Sequence, residues 1–359
     1  MDTEWICFDA VTGYDKGELN HAAQILRQGG LVAFPTETVY GLGGDGFNPQ
    51  AAKKIYEAKG RPSDNPLILH ISKREELDAI AARIPETAEK LMDAFWPGPM
   101  TLIFEKTKDV PYETTGGLDT VAVRMPSHEG ARQLIESAGV PVAAPSANTS
   151  GRPSPTTAEH VKEDLWGRID MIIDGGPVGI GVESTIIDVT EETPTILRPG
   201  HITKDMIAKV IGTVQMDAGL SGLDPSVKPK APGMKYRHYA PKASMTVIQG
   251  KKEAVIRRIE ELAAEYPKEK VGILATDETL SCYTHGQVVS AGSRNEHTIE
   301  QGLYRALREF DHMGVSVIFS ESFADDDRSE AIMNRLLKAA GQKRSEERRV
   351  GKECRSRWS

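Results

Sequence analysis

The sequence predicts an α/β protein of two unequal domains. Three observations carry that reading: the length, an ordinary globular composition, and an alternation of helical stretches with short apolar runs that breaks off once and then resumes. At 359 residues, 39% hydrophobic and 27% charged, the chain exceeds one average domain of about 100–200 residues and is long enough for two. The alternation from Leu19 to about Ala208 is the rhythm of strands and covering helices. It fades between Lys209 and Ala243 into GLSGLDPSVKPKAPGMKYRHYAPKA, where Gly, Pro, Ser and Lys crowd together as in a linker. The expected division is a first domain over 1–208, a linker over 209–243, a smaller α/β domain over 244–342 and a basic tail over 343–359.

In order along the first domain, β-branched or apolar runs predict strands at Leu31–Phe34, Leu67–Ile71, Thr101–Phe104, Val121–Met125, Val142–Ala144, Met171–Ile173, Ser184–Val189 and Thr195–Leu197. One helix has both ends marked: Pro49 at its start, Ala51, Ala52, Ile55, Tyr56 and Ala58 along it, and Gly60 at its end. In the second domain the pattern predicts strands at Met245–Ile248, Val271–Ala275 and Val315–Phe319, with helices at Lys251–Tyr266, Ile299–His312 and Arg328–Ala340.

Composition narrows the function classes. No run of eighteen apolar residues occurs, and the first ten residues carry Asp2 and Glu4 where a leader would be basic. Neither membrane insertion nor secretion is expected. Cys7, Cys282 and Cys354 fit neither a disulfide framework nor a thiolate metal site, so a reducing, cytoplasmic location is expected. The net charge is −8, and residues 343–359 hold seven Lys/Arg against three Glu, which leaves −12 for the rest. An acidic body argues against indiscriminate nucleic-acid binding. The tail lacks an amphipathic period and reads as non-native, the alternative being a basic arm for RNA.

Four segments can carry chemistry. PTETVYGLG follows the first strand, where Pro35 ends the ladder, three hydroxyls share one bend, and Gly41, Gly43 and Gly44 permit close backbone approach to a ligand. On its own it is equally a Gly-rich turn. KGRPSDNPLILH sets Lys59 and Arg61 on a proline-stiffened loop, a pairing of point charge and planar guanidinium suited to a triphosphate, or a solvated basic turn in which Asn65 caps the bend. VAAPSANTSGRPSPT offers Ser146, Asn148, Thr149, Ser150 and Ser154, neutral groups that hydrogen-bond a sugar, base or phosphate, or else open a helix near Thr157. Arg124 and Arg198 end predicted strands, where side chains face a ligand crevice as readily as they form structural ion pairs; Ser184 and Thr185 follow several glycines and complete its floor. No phosphate loop, dinucleotide fingerprint, nucleophile elbow or HExxH is present, and the nine histidines lack metal-ligand spacing.

In this order, PTETVYGLG, KGRPSDNPLILH, PSANTSGRPSPT and ILRPG resemble the YrdC-type family, and KYRHYAP with the second domain resembles its longer, two-domain threonylcarbamoyl-AMP synthases. The resemblance runs from about Gly17 to Gln342. It implies a YrdC-like open twisted mixed sheet with flanking helices, followed by a smaller Rossmann-like domain. It further implies conversion of L-threonine, bicarbonate and ATP to L-threonylcarbamoyl-AMP and pyrophosphate, with Mg2+ accompanying ATP and no protein-bound metal. By position, Thr38, His70, Arg124, Ala144 and Ser184 are expected to contact threonine. Arg61, Asn65, Thr120, Ser146, Asn148, Ser154, Arg198, His238 and Tyr239 are expected to contact ATP, and Lys59 and Arg61 to stabilise charge at the phosphates. A threonine carbamate would attack the α-phosphorus and expel pyrophosphate with no side-chain nucleophile.

Both intermediates hydrolyse or decarboxylate in water, so Tyr236, His238 and Tyr239 of the linker are expected either to close over the nucleotide as a lid or to pack the domain interface. Expected partners downstream are the proteins that transfer the threonylcarbamoyl group to tRNA, with weak tRNA contact by this chain. The competing readings are a non-catalytic double-stranded RNA or tRNA-binding module, and a hydrogenase-maturation carbamoyl-transfer protein. The latter is disfavoured because its zinc segments and acylphosphatase-like region are missing.

Overall fold

The computed structural model describes residues 2–7, 15–221, 230–232, 238–295, 298–323 and 329–346, and in it the alternation becomes two sheets with helices packed on them. The first contains β1 (Glu4–Cys7), β2 (Val32–Phe34) and β3 (Gly41–Asp45), with α1 (Lys16–Arg27) ahead of β2 and α2 (Pro49–Lys59) after β3. There follow β4 (Ile68–His70), α3 (Glu86–Phe95), β5 (Met100–Glu105), α4 (Tyr112–Thr115), β6 (Thr120–Arg124), α5 (Glu129–Ala138), β7 (Val142–Ala143) and α6 (Ala158–Leu165). The last elements are β8 (Met171–Asp174), β9 (Thr185–Asp188), β10 (Thr195–Arg198), α7 (Lys204–Ile211) and β11 (Gln215–Met216). The strands run in the order β1-β8-β2-β3-β7-β4-β6-β5-β9-β10-β11 with parallel and antiparallel pairs mixed, the open mixed sheet expected.

The second sheet holds β12 (Ser244–Gln249), β13 (Val271–Ala275), β14 (Gln287–Ser290), β15 (Val317–Glu321) and β16 (Arg344–Glu346), all parallel, in the order β14-β13-β15-β12-β16. Its helices are α8 (Lys252–Ala263), α9 (Ile299–Met313) and α10 (Ser329–Ala339). Strand β16 extends this sheet into the segment read as tail; residues 347–359 lie outside the described residues. Among the described residues no helix is long and apolar enough to cross a membrane.

Local chemistry explains the clearest element. In α2 the Asn48 side chain accepts from the Gln50 N–H, Pro49 opens the helix where no N–H is needed, and Gly60 closes it in the left-handed conformation at φ 60°. Where the sequence suggested a loop, the structure has β3. Its glycines serve packing: a Cβ on Gly43 would stand 2.8 Å from Val142 Cγ1 and 2.9 Å from Phe34 Cε1. Such close sheet packing escapes recognition because a strand of glycines lacks the β-branched signature. Strands β1, β11, β14 and β16 were also missed, being short or at sheet margins. The linker reading likewise began too early, since α7 continues to Ile211 and β11 joins the first sheet beside β10.

Candidate active site

One cavity, about 560 Å³ of empty space, opens where the first sheet meets the linker. The chain after β2 supplies Thr36, Thr38 and Val39, and β3 supplies Gly41. The ends of β4, β6 and β10 bring His70, Arg124 and Arg198, and the loop after β7 brings Ala144, Pro145 and Ser146. Arg61 enters from behind α2, Glu183 and Ser184 from ahead of β9, and Pro232, His238 and Tyr239 from the linker. Ten of the residues singled out from the sequence therefore share one wall: Thr38, Arg61, His70, Arg124, Ala144, Ser146, Ser184, Arg198, His238 and Tyr239. Lys59, Asn65, Thr120, Asn148 and Ser154 do not line it.

Register places the first group. In the parallel pair of β4 and β6, His70 stands opposite Arg124. Arg124 donates from Nη1 to Thr38 Oγ1 at 2.9 Å and from Nε to the Gly98 carbonyl at 3.3 Å. Its Nη2 lies 2.7 Å from a Glu37 carboxylate oxygen, a close ion pair that is poorly aligned for hydrogen bonding. Burial alone would raise the Glu37 carboxyl, but the Arg124 guanidinium outweighs it and holds the group below its ordinary value. Glu37 was not foreseen, although an acid between two threonines in PTETVYGLG is a visible signal.

His70 is buried, with Nδ1 3.2 Å from the Ile68 carbonyl and Phe34 edge-on at 6.3 Å. Burial first and Arg124 second push its pKa down to about 3; burial likewise lowers His238 to about 3. Both stay neutral through the physiological range. Because the folded values lie below the unfolded value of about 6.5, stability is complete above that value and is lost as pH falls toward 3. At pH 5 each histidine should cost about 2 kcal/mol. Urea midpoints at pH 7.5 and 5 should therefore differ less for His70→Gln than for the unmodified chain.

At the other end, Arg198 donates from Nε to the Ser184 carbonyl at 3.0 Å and from Nη2 to Ser184 Oγ at 3.1 Å, and Ser184 Oγ is 2.7 Å from Thr101 Oγ1. Arg61 reaches the Asn65 and Pro66 carbonyls at 3.3 and 3.1 Å. Burial lowers its pKa to about 10, so it remains a cation at neutral pH. Among the buried polar atoms without a hydrogen-bond partner among the described residues are Asn65 Oδ1 and His238 Nε2. Unsatisfied buried atoms are costly unless a ligand meets them.

Lys59 stands outside the cavity lining. It is 1% exposed, and its Nζ donates to the Ser146 carbonyl and, at 2.5 Å, to the Asn148 carbonyl, so it holds the PSAN loop from behind. Ser154 stands behind the wall, donating to Glu183 at 2.5 Å. Thr120 begins the strand whose far end carries Arg124. Of the linker aromatics, Tyr239 lines the cavity and stacks on Tyr304 of α9, centroids 5.3 Å apart. Tyr236 lies outside the described residues.

Known proteins resemble this chain throughout. The family model Sua5_yciO_yrdC, described as "Telomere recombination", matches residues 24–200, and Sua5_C, described as "Threonylcarbamoyl-AMP synthase, C-terminal domain", matches 202–341. A threonylcarbamoyl-AMP synthase of Pyrococcus abyssi is 50% identical over 91% of this chain and 95% of its own length. One from Bacillus subtilis is 52% identical over 90% and 93%. The crystal structure of P. abyssi Sua5 complexed with L-threonine superposes with a TM-score of 0.90 at 47% identity, covering 97% of this chain and all of that one.

Proposed function

Since the chain belongs to the Sua5/YciO/YrdC family, in the two-domain form that carries the threonylcarbamoyl-AMP synthase C-terminal domain, we infer that it joins L-threonine, bicarbonate and ATP into L-threonylcarbamoyl-AMP and pyrophosphate. It is an enzyme of the nucleotidyl-transfer type, and its product supplies N6-threonylcarbamoyladenosine next to the anticodon of tRNA. Relatives matched along nearly their whole length carry this enzyme's name, which favours the synthase over a non-catalytic RNA-binding module.

One observation supports the site reading most: a single cavity joins an end around Arg124 to a second cationic end at Arg61 and Arg198. At the first end, Arg124 would receive the threonine carboxylate, with Thr38, neutral His70, Ala144 and Ser184 around it. That the P. abyssi protein was crystallised with L-threonine supports a threonine site in this fold, and a guanidinium is the natural partner for its carboxylate. At the second, Arg61, Arg198, Ser146, His238 and Tyr239 would hold the nucleotide, and His238 Nε2 would find a partner there.

The reaction needs no side-chain nucleophile. The neutral amine takes up the carbon of bicarbonate and water leaves; a carbamate oxygen then bonds to the α-phosphorus as the bond to pyrophosphate breaks. The protein aligns the two reactants and keeps water out. Lys59 acts at one remove, by fixing the loop that presents Ser146. Mg2+ would arrive on the nucleotide. The nearest carboxylates, Glu37 and Glu183, are taken by arginines, and no group of three or more candidate ligands occurs among the described residues, so no step is assigned to a resident metal. Transfer proteins downstream, weak tRNA contact and a cytoplasmic setting complete the proposal.

The test is pyrophosphate release with threonine, bicarbonate and magnesium omitted in turn. Release should require threonine and bicarbonate together, and Arg61→Ala should lower kcat/KM for ATP by about 10- to 100-fold, the worth of one or two hydrogen bonds to a charged group. Release indifferent to threonine would overturn the reading.

A further inference from the structure

Glu183 is a carboxylate on the cavity wall, 6% exposed, next to Ser184 and on the same wall as the Arg198 that the proposed nucleotide end uses. It belongs to the first domain, yet most of its partners come from the second. Arg335 of α10 donates from Nε to Glu183 Oε2 at 2.9 Å and from Nη2 to its main-chain carbonyl at 3.2 Å. Tyr304 of α9 places its hydroxyl 3.1 and 2.9 Å from the two carboxylate oxygens. The same Arg335 donates from Nη1 to the Pro199 carbonyl at 2.6 Å, adjoining Arg198 in sequence. One guanidinium, wholly buried, thus grips both loops that Arg198 bridges. The loops are pressed together with no room for a side chain: a Cβ on Gly200 would fall 2.5 Å from the Thr185 nitrogen. Tyr239 completes the arrangement, held at φ 62°, an uncommon conformation for a bulky residue, between the Tyr304 ring and the Arg335 guanidinium 5.8 Å away.

We propose that Arg335 and Tyr304 are positioning residues of the nucleotide site: by engaging Glu183 they leave Arg198 free to meet ATP, and so the second domain completes the site of the first. The proposal rests on the assignment of ATP to the Arg61–Arg198 end. The physical reason is competition. A buried carboxylate demands a cation. Without Arg335 the next charge acting on Glu183 is Arg198, and a Glu183–Arg198 pair would withdraw that guanidinium from the phosphates.

Steady-state kinetics on the full chain test this. Arg335→Gln should raise KM for ATP about tenfold or more, with kcat and KM for threonine within about threefold, the scale expected when one partner of a buried charged pair is lost. Adding Glu183→Gln to that variant should bring KM for ATP back to within about threefold of the unmodified chain, since no carboxylate is left to capture Arg198. Tyr304→Phe, which keeps the stacking and deletes one donor, should raise KM for ATP by about two- to fivefold. The proposal is overturned if folded Arg335→Gln keeps its KM for ATP, if the double variant is no better than the single one, or if the change is confined to threonine. Should Arg335→Gln not fold, Tyr304→Phe decides, and an unchanged KM for ATP there overturns it. The unmodified chain, assayed alongside, separates the two ideas: absence of threonine-dependent pyrophosphate release would sink the synthase reading itself.

Discussion

Arg124→Ala is expected to lower kcat/KM for threonine by about 10³ while ATP affinity changes by only a few fold. The proposed contact is a guanidinium holding a carboxylate by two charge-assisted hydrogen bonds, together worth about 4 kcal/mol, and each 1.4 kcal/mol is a factor of ten. Arg124→Lys should recover little of this, because an ammonium cannot reproduce the fork. Glu37→Gln should move the same quantity the other way. The Glu37 carboxylate now sits 2.7 Å from Arg124 Nη2 and must share or yield that guanidinium when another carboxylate arrives. Weakening the competitor should lower KM for threonine. Titrating threonine against pyrophosphate release, with ATP binding followed by calorimetry, checks both signs. A parallel loss of threonine and ATP affinity in Arg124→Ala would mean a collapsed pocket rather than a lost contact.

Arg308→Met should be the most destabilising single change at the domain interface, by about 3 kcal/mol, the low end for breaking a buried ion pair. Arg308 is wholly buried and donates from Nη2 to Asp164 Oδ2 at 2.8 Å and to the Pro153 carbonyl at 2.6 Å. Asp164 keeps one further cation, Arg152, which also lies 3.4 Å from Asp311, so the stranded charge is softened but not abolished. The methionine fills part of the volume and restores none of the hydrogen bonds. Urea unfolding should show a lower midpoint, and proteolysis should reach the linker after β11 sooner, because contacts that press the domains together have gone. An unchanged midpoint would mean that desolvation cancels the pair's attraction.

Much of the site could be read along the chain. Arg61, Ser146, Ser184 and Arg198 stand at a helix end, in a hydroxyl-rich loop or at strand ends, positions whose chemistry follows from neighbours a few residues away. The fold class followed likewise, since strand and helix periods are local properties. Lys59 shows the limit of such reading. Its charge suggested phosphate, but its direction was set by Ser146 and Asn148, 87 and 89 residues on, whose carbonyls it serves.

The α9 helix states the same lesson by its periodicity. Leu303, Leu307 and Phe310 turn into the second domain's own core, while Tyr304, Arg308 and Asp311 recur at i, i+4 and i+7 and face the first domain. The stripe is visible in the sequence; its partners are not. Glu183 and Asp164 stand 152 and 144 residues from Arg335 and Arg308, and no local pattern ties a cation to a carboxylate at such a distance. Residue chemistry and short-range period therefore determine most of the elements and most side chains of the pocket, and the order of the motifs points to the family. Only the packing of one domain on the other decides which of those charges are spoken for and which remain to meet a substrate, because a buried charge takes the partner that geometry brings to it.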